Sequence, residues 1–209
     1  IELEDGTTVE KTITVVLGDG SGEPTIPDNA VNFGEIEWQG DGTANLPVST
    51  DEEFTIEYQV VGSDGTPGEW KPVEGGEITG LEPGEKVNVK LTDGENESEI
   101  QTIEVKDETA PTVKINVTGS TSGSITVSAT ATDGESGMAT SPTYTYYIKE
   151  SGQDDSHYTT PEGASNISNG TYTFTGLTPG VLYDINVGLI SDAAGNTGVG
   201  TLSGQSTGG

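Results

Sequence analysis

Phe174-Thr-Gly-Leu-Thr-Pro-Gly180 runs directly into Val181-Leu-Tyr-Asp-Ile-Asn-Val187, and this stretch decides the fold. A Pro-Gly pair is turn chemistry: proline presets φ and glycine accepts the left-handed conformation. Beyond it Tyr183, Ile185 and Val187 alternate with polar residues, the period-two signature of a half-buried strand. An earlier stretch has the same form, Ile78-Thr-Gly-Leu-Glu-Pro-Gly84 followed by Lys86-Val-Asn-Val-Lys-Leu91. The offset is 174 minus 78, or 96 residues. Each strand then runs into an acidic loop, Asp93-Gly-Glu-Asn96 and Asp192-Ala-Ala-Gly-Asn196. Strand, turn, strand and polar loop, twice in one order, predict tandem copies of a β-module. That layout also argues against an enzyme.

Composition supports the reading. The chain has 209 residues, enough for two domains of about 100 each. With 31 glycines, 30% hydrophobic and 6% aromatic residues, each core must be thin, as between two sheets. No apolar run approaches the ~20 residues of a membrane span. Acids outnumber bases 35 to 7, the net charge is −28, and every base is lysine. Phosphate contacts need clustered Lys and Arg, so nucleic acid is not a partner, and the same argument removes anionic membranes. Without cysteine there are no disulfides, thiol nucleophiles or cysteine zinc sites. The chain starts without methionine or a signal peptide, which reads as an interior piece of a longer exported protein.

Residues 109–209 give the clearest strand pattern. Val113, Ile115 and Val117 alternate after Thr109-Ala-Pro111; Ile125–Ala131 follows, ending at Asp133-Gly-Glu-Ser-Gly137. Tyr144–Ile148, a polar stretch around Gln153–Ser156, Tyr172–Phe174, Leu182–Leu189 and Val199–Leu202 complete the set. Seven short strands with turns between them predict an immunoglobulin-like sandwich. Leu177-Thr-Pro-Gly-Val-Leu-Tyr183 resembles the E–F corner of a fibronectin type III domain, where a tyrosine braces the corner. The frame Asp107–Pro111, Ala131–Gly137 and Ser191–Asn196 resembles bacterial Ig-like repeats. That resemblance implies surface, adhesin or pilin-like proteins of Gram-positive bacteria.

Residues 25–108 read as a diverged sister, with strands at Glu35–Trp38, Asn45–Val48, Phe54–Val60, Trp70, Ile78, Val87–Leu91 and Ile100–Val105. Val87 stands where the corner tyrosine would be, so that brace is expected to be absent. Residues 1–24 parallel 91–105 and read as the terminal strands of a preceding repeat. Alternatively, residues 1–17 are a donor strand for the open sheet edge of another copy. The expected class is therefore all-β: tandem Ig-like or fibronectin type III-like sandwiches at 25–108 and 109–209.

Few residues carry chemistry. His157 lies in a polar loop beside Asp154 and Asp155, with no nucleophile elbow or phosphate loop anywhere. Calcium is the one cofactor to argue for. In an Ig-like sandwich the chain enters at the pole that also carries the B–C and F–G loops. That pole gathers Asp107 and Glu108, Asp133 and Glu135, and Asp192 and Asn196, the oxygen ligands a hard cation takes. The same residues are also ordinary turn chemistry. The equivalent acids of the first domain are Asp51, Glu52, Glu53, Asp93, Glu95 and Asn96. Isopeptide linkage at Lys114 is disfavoured, because its neighbours Val113 and Ile115 turn it outward.

Most aromatic residues are expected in the cores, Trp70, Tyr144 and Tyr146 among them. Tyr147 and Tyr158 are the candidates for a ligand-facing surface. Three functions compete: a non-catalytic stalk or spacer, a filament subunit that assembles with copies of itself, and a carbohydrate-binding accessory module. The corresponding partners are adjacent repeats, neighbouring copies, or a host protein or carbohydrate, in an extracellular, cell-surface setting.

Overall fold

The computed structural model describes residues 26–208, and strands dominate it. The proposed roles of residues 1–24 lie outside the described residues. The first half contributes β1 (Asn32–Phe33), β2 (Glu37–Trp38), β3 (Ala44–Ser49), β4 (Thr55–Val61), β5 (Lys71–Pro72), β6 (Glu77–Leu81), β7 (Lys86–Thr92) and β8 (Gln101–Glu104). The second half contributes β9 (Thr112–Thr121), β10 (Ser124–Thr132), β11 (Thr145–Glu150), β12 (Thr171–Thr175), β13 (Leu182–Ser191) and β14 (Thr197–Ser206).

In the first half, β3 pairs with β1, β2 and β6, and a second sheet runs β5-β4-β7-β8. In the second half the sheets run β12-β10-β9 and β11-β13-β14. All recorded pairings are antiparallel. This is twice the partition of an Ig-like sandwich, with β1, β2, β3 and β6 on one sheet of the first half and β9, β10 and β12 on one sheet of the second. Alternation explains the two cores. Leu46, Ile78, Leu81, Val87, Val89 and Leu91 fill the first, and Ile125, Val127, Tyr146, Phe174, Ile185 and Val187 fill the second. Burying each such side chain contributes about 1.5–3 kcal/mol.

Departures from the expected pattern have physical causes. The opening strand of the first sandwich is split into β1 and β2. Pro47, central in β3, has no N–H to offer. Gly34 tucks over it, donating its own N–H to the Pro47 carbonyl at 2.8 Å. The second half has six named strands, not seven. Residues 151–170 are held by single bridges, Ile148 to Thr159 and Tyr144 to Ile167, around a 3-10 turn at Asp155–His157. Val117 is 37% exposed, because the β9–β10 register slips opposite Thr126/Val127 and ends the alternation.

The corner tyrosine is present and bonded. Thr178 N–H donates to the Tyr183 hydroxyl at 3.0 Å, and the ring is buried. In the first sandwich Val87 is buried in that place, and the corner closes differently. The Glu82 N–H donates to the Glu85 carboxylate at 2.8 Å, and the Gly84 N–H to the Val105 carbonyl at 2.8 Å.

Candidate metal centre

Three segments meet at the entry pole of the second sandwich. Asp107 lies five residues before β9, Asp133 follows β10, and Asp192 follows β13. One carboxylate oxygen from each lies within 4.8 Å of the others. Asp107 is 5% and Asp192 2% exposed, while Asp133 is half-buried.

Local hydrogen bonds fix each acid. Asp107 accepts from the Thr109 N–H at 2.8 Å and from the Ser136 N–H at 3.1 Å. Asp133 Oδ2 accepts from the N–H groups of Glu135 and Gly137 at 3.0 and 2.9 Å. Asp192 accepts the Asn196 N–H at 2.8 Å on Oδ1 and its side-chain amide at 2.9 Å on Oδ2. The Asp107–Thr109 and Asp133–Glu135 bonds are Asx turns, so turn chemistry and convergence coexist at one place.

The six predicted residues do not play equal parts. Asn196 presents its amide nitrogen, which also donates to the Asp107 carbonyl at 3.1 Å, so it clamps the linker. Glu108 is exposed and turned away to pair with Lys106. Glu135 stays at the rim, accepting from the Thr109 hydroxyl at 3.0 Å. Burial alone would push the Asp107 carboxyl up, but hydrogen bonds from Ser136, Thr109 and Glu135 hold it below the usual carboxylate range. Glu135 is pushed up, first by the hydrogen bond it shares with Asp107. Sequence reasoning missed Ser136. It is 3% exposed and its hydroxyl has no hydrogen-bond partner. The only signal was its place in Asp133-Gly-Glu-Ser-Gly137.

The corresponding acids of the first sandwich stay apart. Asp93 is spent on its own turn, accepting from the Glu95 and Asn96 N–H groups at 2.8 and 2.7 Å. Asp51, Glu52 and Glu53 are exposed. Among the described residues, the one three-acid cluster is Asp107, Asp133 and Asp192.

Other candidates resolve as follows. Tyr147 is half-buried on the outer face of the β11 sheet. Tyr158 is half-buried too; its hydroxyl donates to Asn186 at 3.1 Å and its ring lies 5.0 Å from the Lys149 ammonium. Lys114 is exposed. His157 is exposed on the 3-10 turn, with the Ser156 hydroxyl 3.5 Å away. Trp70 corrects an expectation: it is half-buried outside the core, with the Lys90 ammonium 4.3 Å over its ring. Trp70 follows the Val61–Pro67 bridge at the sheet edge, just before the two-residue β5, and so does not enter the interior.

No protein-family model matches this sequence, and no curated protein does. Similar solved structures include a two-domain fibronectin type III segment of chicken tenascin, 18% identical with a TM-score of 0.46. The match covers 83% of this chain and 97% of that one. Domains FN1–FN3 of chicken CNTN1 are 16% identical with a TM-score of 0.32, over 85% of this chain and 66% of theirs. Domains from titin are 14% identical with a TM-score of 0.37, over 80% of this chain and 59% of theirs. Strand order, pairing and the corner tyrosine carry the fold assignment independently of these likenesses.

Proposed function

We propose that this chain is a non-catalytic spacer, a stalk segment of an extracellular bacterial surface protein. One observation carries the reading. Val105 is fully buried and locked to the first sandwich, its N–H donating to Glu85 and its carbonyl accepting from Gly84. Asp107 is already locked to the second, through Ser136, Thr109 and Asn196. Only Lys106 lies between them. A joint of one unfastened residue holds two sandwiches in line, where a longer polar linker would let them tumble. The charge of −28 adds mutual repulsion between neighbouring stalks.

The absence of cysteine makes the test direct. Nitroxide pairs placed at exposed Glu74 and Thr160 through cysteine substitutions report the distance between the sandwiches. The spacer reading expects a narrow distance distribution that broadens when four glycine/serine residues are inserted after Lys106. A distribution as broad in the uninserted chain as in the inserted one would overturn it.

A further inference from the structure

We propose that Asp107, Asp133 and Asp192 form a calcium site that fastens the linker to the second sandwich. Two of these acids are almost fully buried, and their oxygens lie within 4.8 Å of the third. Like charges so placed oppose one another unless a cation lies between them. The recorded ion pairs offer none: Lys90 and Lys149 are engaged elsewhere, and Lys106 pairs outward with Glu108. Ser136 provides an independent observation. Its hydroxyl is buried without a hydrogen-bond partner, on the residue whose N–H donates to Asp107, so an unspent oxygen stands beside the acids.

The donor chemistry favours calcium, which takes six to eight carboxylate, hydroxyl and water oxygens in flexible geometry, whereas magnesium demands a near-ideal octahedron and keeps several of its waters. Asp133 has Oδ2 engaged by two N–H groups, which leaves Oδ1 for a ligand. Water and the rim carboxylate of Glu135 would complete a shell of six to eight oxygens. The Asn196 amide, by holding both Asp192 and the Asp107 carbonyl, is a positioning group for two of the ligands. The site stands on this cluster whether or not the chain is a spacer.

The test is calcium titration of the whole chain by calorimetry, paired with thermal unfolding followed by the tyrosine signal. The expected result is one saturable site per chain, with magnesium much weaker. Calcium at 100 times its Kd should stabilise the second sandwich about 100-fold in folding equilibrium. Asp192→Asn, at a buried position, risks the fold. Asp133→Asn is the safer variant, because an amide oxygen still accepts the Glu135 and Gly137 N–H bonds. It should fold and lose the site at least tenfold. Diffuse weak binding that salt abolishes, no binding, or a site unchanged in Asp133→Asn would each overturn the proposal. The label distances described above are read independently, so failure of the metal site and failure of the spacer are separable.

Discussion

Replacing Tyr183 by Phe removes one oxygen from the second sandwich and leaves its packing in place. The ring is 7% exposed, and phenylalanine keeps its buried apolar surface, so the hydrophobic contribution cancels. What is lost is the acceptor for the Thr178 N–H, 3.0 Å away and partly buried. Losing such a bond while leaving the donor unsatisfied costs about 1.5 kcal/mol. For a domain of about 100 residues this lowers Tm by about 6–12 °C. The chain supplies its own internal reference. Both tryptophans, Trp38 and Trp70, lie in the first sandwich, whereas six of the seven tyrosines lie in the second. Near-ultraviolet dichroism of tyrosine therefore follows one unit and tryptophan fluorescence the other. Tyr183→Phe should shift the tyrosine transition and leave the tryptophan transition unmoved. A tyrosine transition shifted by less than about 1 °C would refute the idea that the corner hydrogen bond matters.

Two further outcomes are expected. The Tyr146 hydroxyl is fully buried, donates to the Gly170 carbonyl at 2.6 Å, and burial pushes its pKa up to about 12. Because the folded value exceeds the unfolded one, its stabilisation is complete below pH ~10 and is lost as pH rises toward 12. Tyr146→Phe should flatten that alkaline loss in the tyrosine-detected unfolding curve. In the first sandwich, Lys90→Met strands Glu57 and Glu97, its carboxylate partners, and removes the cation from Trp70. Because Glu97 is largely exposed, a modest loss of about 1 kcal/mol is expected by tryptophan-detected denaturation, with a change in Trp70 emission.

The fold was legible because its signals are local. Turn residues and alternation around Pro179 and Pro83 fix two strands and a corner each, and Tyr183 needs only its own neighbourhood to be recognised. What the sequence hid depends on partners distant along the chain. Pro47 divides the opening strand only because that strand lies against it. Trp70 stays out of the core because its segment runs to the sheet edge beside β5, where Lys90, twenty residues later, meets its ring. At the candidate metal centre the acids could be gathered by topology, since all lie on loops of one pole. Their separate parts could not be. Asn196 clamps rather than ligates because its amide faces two acceptors, and Glu108 turns away to a neighbouring lysine. Ser136 carries no sequence mark of burial; its environment comes from the folded pole.

The lone unfastened residue at the joint also sets how the chain would carry a load. Fully extended, one residue spans at most about 3.6 Å, so the connection has almost no slack. Tension applied along the chain would not be absorbed by a stretching linker. It would pass from Val105 through Lys106 to Asp107, and from there into the Asn196 and Ser136 hydrogen bonds before it reached β9. The pole is therefore the first element to bear force on entering the second sandwich, and its grip sets when that sandwich begins to yield.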